Sequence, residues 1–387
     1  MGITVEHVEA RIVTLPRDEP YLGPLGPGER VNERGYIVRA GNRTIYPTVD
    51  RSVLLKLTAS DGTIGWGETY GIVAPLAVLA IIDDVLGPIV TGRAPDDPAA
   101  LYAELYDLMR VRGASGGYYG DALAAIDIAL WDLKAKLAGV PLSTALGGAH
   151  TDRIAAYVSG LPKVTLAERV GLAQTWVASG FRAIKYAAAV SHEGVVEEMA
   201  ALRRALGPEV NLMVDLHWKY SSADAQRVVS ELSAFEPYFV EAPCAPEDVD
   251  GLAEVAATAP MAIAAGEEWR NVFEAALRIP RTGIRIVQPE MGHTGVSQFM
   301  AIAALAQAHG VAVIPHATIG VGVFMAASLH AAATLPHCPM HEYQPSVFDR
   351  NLAHVETTMR CAAGCYTLPA GAGHGVEPRP ELWDAAT

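Results

Sequence analysis

The chain has 387 residues, 51% of them hydrophobic, which is enough for two packed units around a large core. Its net charge of −14 argues against a nucleic-acid or anionic-membrane surface. It leaves room for an anionic substrate, because a bound cation and a few basic side chains reverse a local field. Four cysteines (Cys244, Cys338, Cys361 and Cys365) form no CxxC pair, which argues for reduced thiols and against a disulfide framework or a structural zinc. The first residues lack a basic stretch followed by an apolar one, and no apolar run is long enough to span a bilayer. A soluble cytoplasmic protein is the expectation, with no nucleic-acid or membrane partner.

Residues 3–15 and 52–58 read as strands, and Asp61-Gly62 as a hairpin turn into a further strand at 63–68. Residues 75–90 and 98–110 have helical periodicity. Between the strands, residues 20–42 are rich in Gly, Pro and Arg and read as a solvated loop, the kind of segment that serves as a substrate lid. Residues 1–120 are thus expected to form an α+β domain. From Gly120 onward the texture changes. A helix over 121–138 carries an apolar face, then β-like and helical runs alternate. The β-like runs are 154–159, 183–188, 211–217, 238–242, 261–267, 284–290, 311–316 and 341–343. Repeated strand-then-helix order implies parallel strands, and eight of them suit a closed barrel over residues 121–349. A doubly wound sheet has little support, since no GxGxxG follows a strand and no Walker lysine motif is present. Residues 350–387 are expected to pack back on the first domain.

Polar residues at the C-terminal ends of such barrel strands line the active site. Here those ends carry Lys185, Asp215 with His217, Glu241, Glu267, Glu290, His316 and Glu342. Any one of them alone could be an ordinary loop anchor; the series is harder to explain that way. Asp215, Glu241 and Glu267 follow one another at intervals of 26 residues, one strand–helix unit each time. Three carboxylates on neighbouring strands repel in a low-dielectric cleft. A hard cation resolves the repulsion, and oxygen-only ligation suits Mg²⁺ or Mn²⁺. The rival reading is three solvated loop acids.

Several motifs occur in order: Ala125-Ile126-Asp127-Ile128-Ala129-Leu130-Trp131-Asp132, Gly180-Phe181-Arg182-Ala183-Ile184-Lys185, Val214-Asp215-Leu216-His217, Phe239-Val240-Glu241-Ala242-Pro243, Ala265-Gly266-Glu267, Val287-Gln288-Pro289-Glu290 and Pro315-His316. Together, across essentially the whole chain, they resemble the enolase superfamily in its mandelate racemase-like branch. The resemblance implies an α+β capping domain on a modified (β/α) TIM-type barrel. It also implies one Mg²⁺ held by Asp215, Glu241 and Glu267, and removal of the proton beside a substrate carboxylate to give an enediolate. His316 matches the base of the family's His–Asp dyad, with Glu290 in place of Asp. Many members carry Lys-x-Lys on the second barrel strand; here the run is Lys185-Tyr186-Ala187, so a second base is missing. Lys185 then grips the substrate carboxylate or shapes the metal's field. Tyr186 alternates into the helix layer.

One base suits β-elimination better than two-base racemisation. His217 resembles the histidine that protonates the leaving hydroxyl in acid-sugar dehydratases such as galactonate dehydratase. Glu342 matches a carboxylate that hydrogen-bonds substrate. Tyr46 and Arg43, with Arg30 and Arg34, are candidates for reading sugar hydroxyls or a distal carboxylate. His293 receives no role. The expected activity is dehydration of an aldonate or aldarate to a 2-keto-3-deoxy acid, by a homo-oligomer (dimer or octamer) acting on a small carboxylate. A racemase, epimerase or cycloisomerase on the same enediolate is the first alternative, and a non-catalytic binding barrel the second.

Overall fold

The structure is a computed structural model that describes residues 2–317 and 320–387. The N-terminal part is built on a three-stranded antiparallel sheet in which strand β4 (Asp50–Ala59) lies between β1 (Val5–Leu15) and β5 (Ile64–Tyr70). The short strands β2 (Tyr36–Val38) and β3 (Ile45–Pro47) form a hairpin of their own. Val53, Leu55 and Leu57 alternate along β4, so they share one face. They meet Leu101 and Leu105 of the helix Pro98–Arg110 and Leu123, Ile126 and Leu130 of the helix Gly117–Leu137 in one apolar cluster.

The segment expected to be a solvated loop is partly core. Tyr21 and Ile37 are buried, and Arg39 is 2% exposed. The Arg39 guanidinium pairs with Glu29 at 2.8 Å and donates to the carbonyls of Tyr21, Gly23 and Pro24. Buried charge requires such partners, and a Gly- and Pro-rich composition does not reveal them.

Residues 153–343 form the barrel. Its strands are β6 (Arg153–Ser159), β7 (Ala183–Ala187), β8 (Asn211–Asp215), β9 (Phe239–Glu241), β10 (Ala262–Ala265), β11 (Ile286–Val287), β12 (Ala312–Val313) and β13 (His341–Tyr343). Consecutive strands from β6 to β12 pair in parallel, and β13 pairs back on β6. Strands β11 and β12 are much shorter than the apolar runs at 284–290 and 311–316. Pro289 and Pro315 cannot donate to a ladder, so pairing stops and resumes as an isolated bridge between Glu290 and His316. The helices after several strands start at side-chain caps legible in sequence: Thr165, Ser221, Asp248 and Asn271.

The C-terminal residues divide between the two parts. Thr387 exchanges backbone hydrogen bonds with Ile12 of β1, and Trp383 packs edge-on against Trp66 of β5. Residues Cys365–Thr367, by contrast, extend the barrel sheet antiparallel to β6. The four cysteines are free. No described helix is long and apolar enough to cross a membrane.

Candidate active site

A cavity of about 260 Å³ opens where the C-terminal ends of the barrel strands face the N-terminal domain. Lys185, Asp215, His217, Glu267, His316 and Glu342 line its barrel side. Tyr21, Leu22, Thr44, Ile45, Tyr46 and Tyr70 line the side facing them. Parallel pairing sets the heights: Asp215 is opposite Glu241, and Ala187 opposite Asp215.

Glu241, Glu267 and His316 each offer a ligand atom, and these atoms lie within 4.8 Å of one another. Asp215 stands beside this group with its oxygens turned to His217: Oδ1 accepts the His217 N–H at 2.8 Å, and Oδ2 lies 2.8 Å from Nδ1. Among the described residues, Glu241 Oε1 and Glu267 Oε2 are buried without a hydrogen-bond partner. His316 Nε2 is 3.0 Å from Glu267 Oε2 but out of line for a hydrogen bond. Burial, then the nearby Asp215 and Glu267 carboxylates, push Glu241 up to about 8 against the pull of Lys185. Orphaned buried oxygens and a carboxyl forced toward its neutral form fit a cation-binding site. The set of hard oxygen donors suits Mg²⁺ or Mn²⁺ better than an imidazole-ligated metal.

Lys185 is wholly committed. Its Nζ lies 2.6 Å from Glu241 Oε2 and 3.1 Å from Glu342 Oε1, over the Tyr157 ring. Burial opposes its charge, but the two carboxylates outweigh burial and raise its pKa. Tyr186 points into the helix layer, where its hydroxyl donates to the Val195 carbonyl at 2.6 Å. Ala187 lines the cavity and carries nothing that titrates.

Glu290 reaches His316 despite its extra methylene: Oε2 is 2.8 Å from Nδ1, and Oε1 accepts the Gly292 N–H at 3.0 Å. The bridge between the two backbones makes this possible. The Tyr70 hydroxyl of β5 also donates to Glu290 Oε2, at 2.9 Å. Sequence reasoning passed over Tyr70, and its only signal was its place at the end of a strand. With Nδ1 engaged, His316 presents Nε2 to the cavity. Burial lowers the His316 pKa, but Glu267 and Glu342 outweigh it and raise it overall.

His217 and Trp218 both adopt left-handed backbone, φ 49° and 51°. Such strain in non-glycine residues costs on the order of 1–3 kcal/mol and concentrates at functional sites. Here it turns the imidazole into the cavity two residues after Asp215. Burial opposes the His217 cation, while Asp215, then Glu267 and Glu241, outweigh it and raise its pKa.

Not every expected residue belongs to the cavity. Glu342 does, buried between Lys185 and the Ala317 N–H. Tyr46 does, its hydroxyl accepting from Asn42 Nδ2 at 3.0 Å. Arg43 does not: it sits exposed on a left-handed turn (φ 59°), outside the lining. Arg30 and Arg34 are exposed as well.

Family comparison agrees with this architecture. Residues 43–147 match the mandelate racemase / muconate lactonizing enzyme N-terminal domain, and residues 168–382 match the enolase C-terminal domain-like family. The chain belongs to the enolase superfamily, in its mandelate racemase/muconate lactonizing enzyme branch. It is 32% identical to the D-galactarolactone cycloisomerase of Agrobacterium fabrum, over 84% of this chain and 88% of that one. It is also 32% identical to the D-galactonate dehydratase of Verminephrobacter eiseniae, over 74% and 76%. Among solved structures, an enolase superfamily member from Agrobacterium tumefaciens is 49% identical with a TM-score of 0.97, each chain wholly covered. A racemase from Streptomyces coelicolor A3(2) with bound magnesium is 25% identical with a TM-score of 0.84, covering 99% of this chain and 100% of that one. Within this superfamily the chain is an enzyme of the lyase or isomerase kind.

Proposed function

We propose that the protein is a Mg²⁺-dependent sugar-acid dehydratase, taking an aldonate or aldarate to a 2-keto-3-deoxy acid. The observation that carries this reading is the pairing of two imidazoles with no third base on β7. His316 is hydrogen-bonded to Glu290 and His217 Nδ1 stands 2.8 Å from Asp215, while Ala187 occupies the place a second base would need and Lys185 is consumed by Glu241 and Glu342.

Asp215, Glu241 and Glu267 are the residues that would hold the ion. A Mg²⁺ there supplies positive charge that opposes the His316 imidazolium and favours the anion developing beside the substrate carboxylate. His316 Nε2 takes the proton from C2, with Glu290 fixing the tautomer and Tyr70 steadying Glu290. His217 gives its proton to the C3 hydroxyl, which leaves as water. The electrons of the C2–H bond become the C2–C3 double bond, and the resulting enol tautomerises to the ketone. Tyr46 and Glu342 contact the substrate along the walls.

A cycloisomerase is the second reading, favoured by the broader match to the galactarolactone enzyme. It keeps His316 as base and returns the proton elsewhere without loss of water. The test is a screen of mono- and diacid sugars with Mg²⁺, reading 2-keto acid formation. A hit abolished by His316→Asn supports dehydration; isomer without water loss supports the second reading; retained full activity in His316→Asn overturns both.

A further inference from the structure

A third imidazole–carboxylate pair faces the same cavity. His293 follows Glu290 by one helical turn, on the helix Met291–Ala308, and its Nδ1 lies 2.7 Å from Oδ1 of Asp121, on the helix Gly117–Leu137 that joins the two domains. Asp121 is 3% exposed and also takes Arg270 Nε at 3.2 Å. Arg270 is fixed in turn by the Glu268 carbonyl at 2.6 Å. The His293 ring stacks on Tyr70, centroids 4.1 Å apart and planes 18° from parallel. Both His293 and Arg270 line the cavity.

The packing around this pair leaves no room to spare. A Cβ on Gly292 would stand 2.9 Å from the Tyr70 ring, and one on Gly120 would stand 2.7 Å from Arg270 Cγ. Each member of the pair is therefore preceded by a glycine that admits its neighbour. Burial pushes the Asp121 carboxyl up, but His293 and Arg270 outweigh it and hold its pKa below the ordinary value. An ionised Asp121 keeps the proton of His293 on Nδ1. Among the described residues, Nε2 has no hydrogen-bond partner. A buried carboxylate and a stacked ring orient that nitrogen, and nothing in the elimination chemistry uses it.

We propose that His293, its tautomer fixed by Asp121, recognises a hydroxyl on the substrate chain beyond the two reacting carbons. Nε2 accepts from the hydroxyl, and the Tyr70 ring holds the imidazole at the cavity wall. This rests on the sugar-acid reading and sharpens it: the substrate is a polyhydroxy acid with a chain long enough to pass the reacting carbons. Arg270 orients Asp121 and leaves the hydroxyl to His293.

The test is binding to the Mg²⁺-loaded His316→Asn protein, which holds substrate without turnover. Titration calorimetry compares six-carbon aldonates with their 4-, 5- and 6-deoxy analogues. Adding His293→Phe keeps the stacked ring and removes both nitrogens. The expected result is roughly a tenfold to hundredfold weaker affinity for the parent aldonate, and unchanged affinity for one of the three analogues. Asp121→Asn is expected to weaken the same ligands as His293→Phe, by less. Equal losses across all ligands, or no loss, overturn the proposal. If neither an aldonate nor an aldarate binds even with His293 present, the sugar-acid reading fails and takes this one with it, a result distinct from uniform loss.

Discussion

The two sides of the cavity differ in kind. The barrel side is ionic: Lys185, Glu241 and Glu342 are buried and cross-paired, with the half-buried Glu267 and His217 and the buried His316 beside them. The facing side is aromatic and neutral: Tyr21, Tyr46 and Tyr70, with Leu22 and Ile45. Strand ladders fix the first to within the register of β6–β13, whereas the second is delivered by β3, β5 and the segment before β2. The barrel side thus holds the reacting groups rigidly, and the other side, apart from Tyr70, is free to vary with the substrate.

Breaking the barrel side gives the largest effects. His316→Asn is expected to cut kcat by roughly a thousandfold in steady-state assays, since it removes the base while leaving the carboxylates in place. Lys185→Met leaves Glu241 and Glu342 facing each other unpaired. It is expected to lower unfolding free energy by about 3–5 kcal/mol in urea titrations, the usual result of stranding a buried charge.

The layer behind the ionic side has its own signature. His330 and His341 are buried, and burial lowers each to about 4. His341 is 2.8 Å from Ser328 Oγ, and His330 Nδ1 accepts the Ser143 N–H. Their folded pKa values lie below the unfolded value, so the neutral forms stabilise the fold above about pH 6.5. That contribution is lost as pH falls from about 6.5 to about 4, on the order of 3 kcal/mol for each. Thermal melts across this window are expected to show the drop, and His341→Gln to flatten part of it.

The link between the two sides is Tyr70. Tyr70→Phe is expected to lower kcat about tenfold with KM little changed, because it removes one hydrogen bond to Glu290 and keeps the ring. Arg43→Ala marks the lower end of the scale: an exposed side chain outside the lining is expected to change stability by less than about 0.5 kcal/mol and the kinetics not at all.

The same division decides what could be read from the chain alone. The even spacing of Asp215, Glu241 and Glu267 reports the strand–helix repeat, so the ionic side is written locally, one residue per unit. Glu290 and His316 were legible for the same reason, even across the prolines that shorten β11 and β12. The facing side was not. Asp121 meets His293 across 172 residues and Tyr70 meets Glu290 across 220, contacts that no local pattern encodes. Arg43 is a candidate in sequence for its charge in or near the lid-like segment, yet composition does not say which way a turn faces. Arg39, in the same basic segment, proved to be a core residue paired with Glu29.

The central assignment is the division of labour between His316 as base and His217 as acid. It is tested most directly in His217→Asn, by following exchange of the C2 proton with solvent deuterium alongside 2-keto acid formation. The expected outcome is loss of water elimination with C2 exchange retained. Elimination at the unmodified rate, or loss of exchange together with elimination, contradicts it.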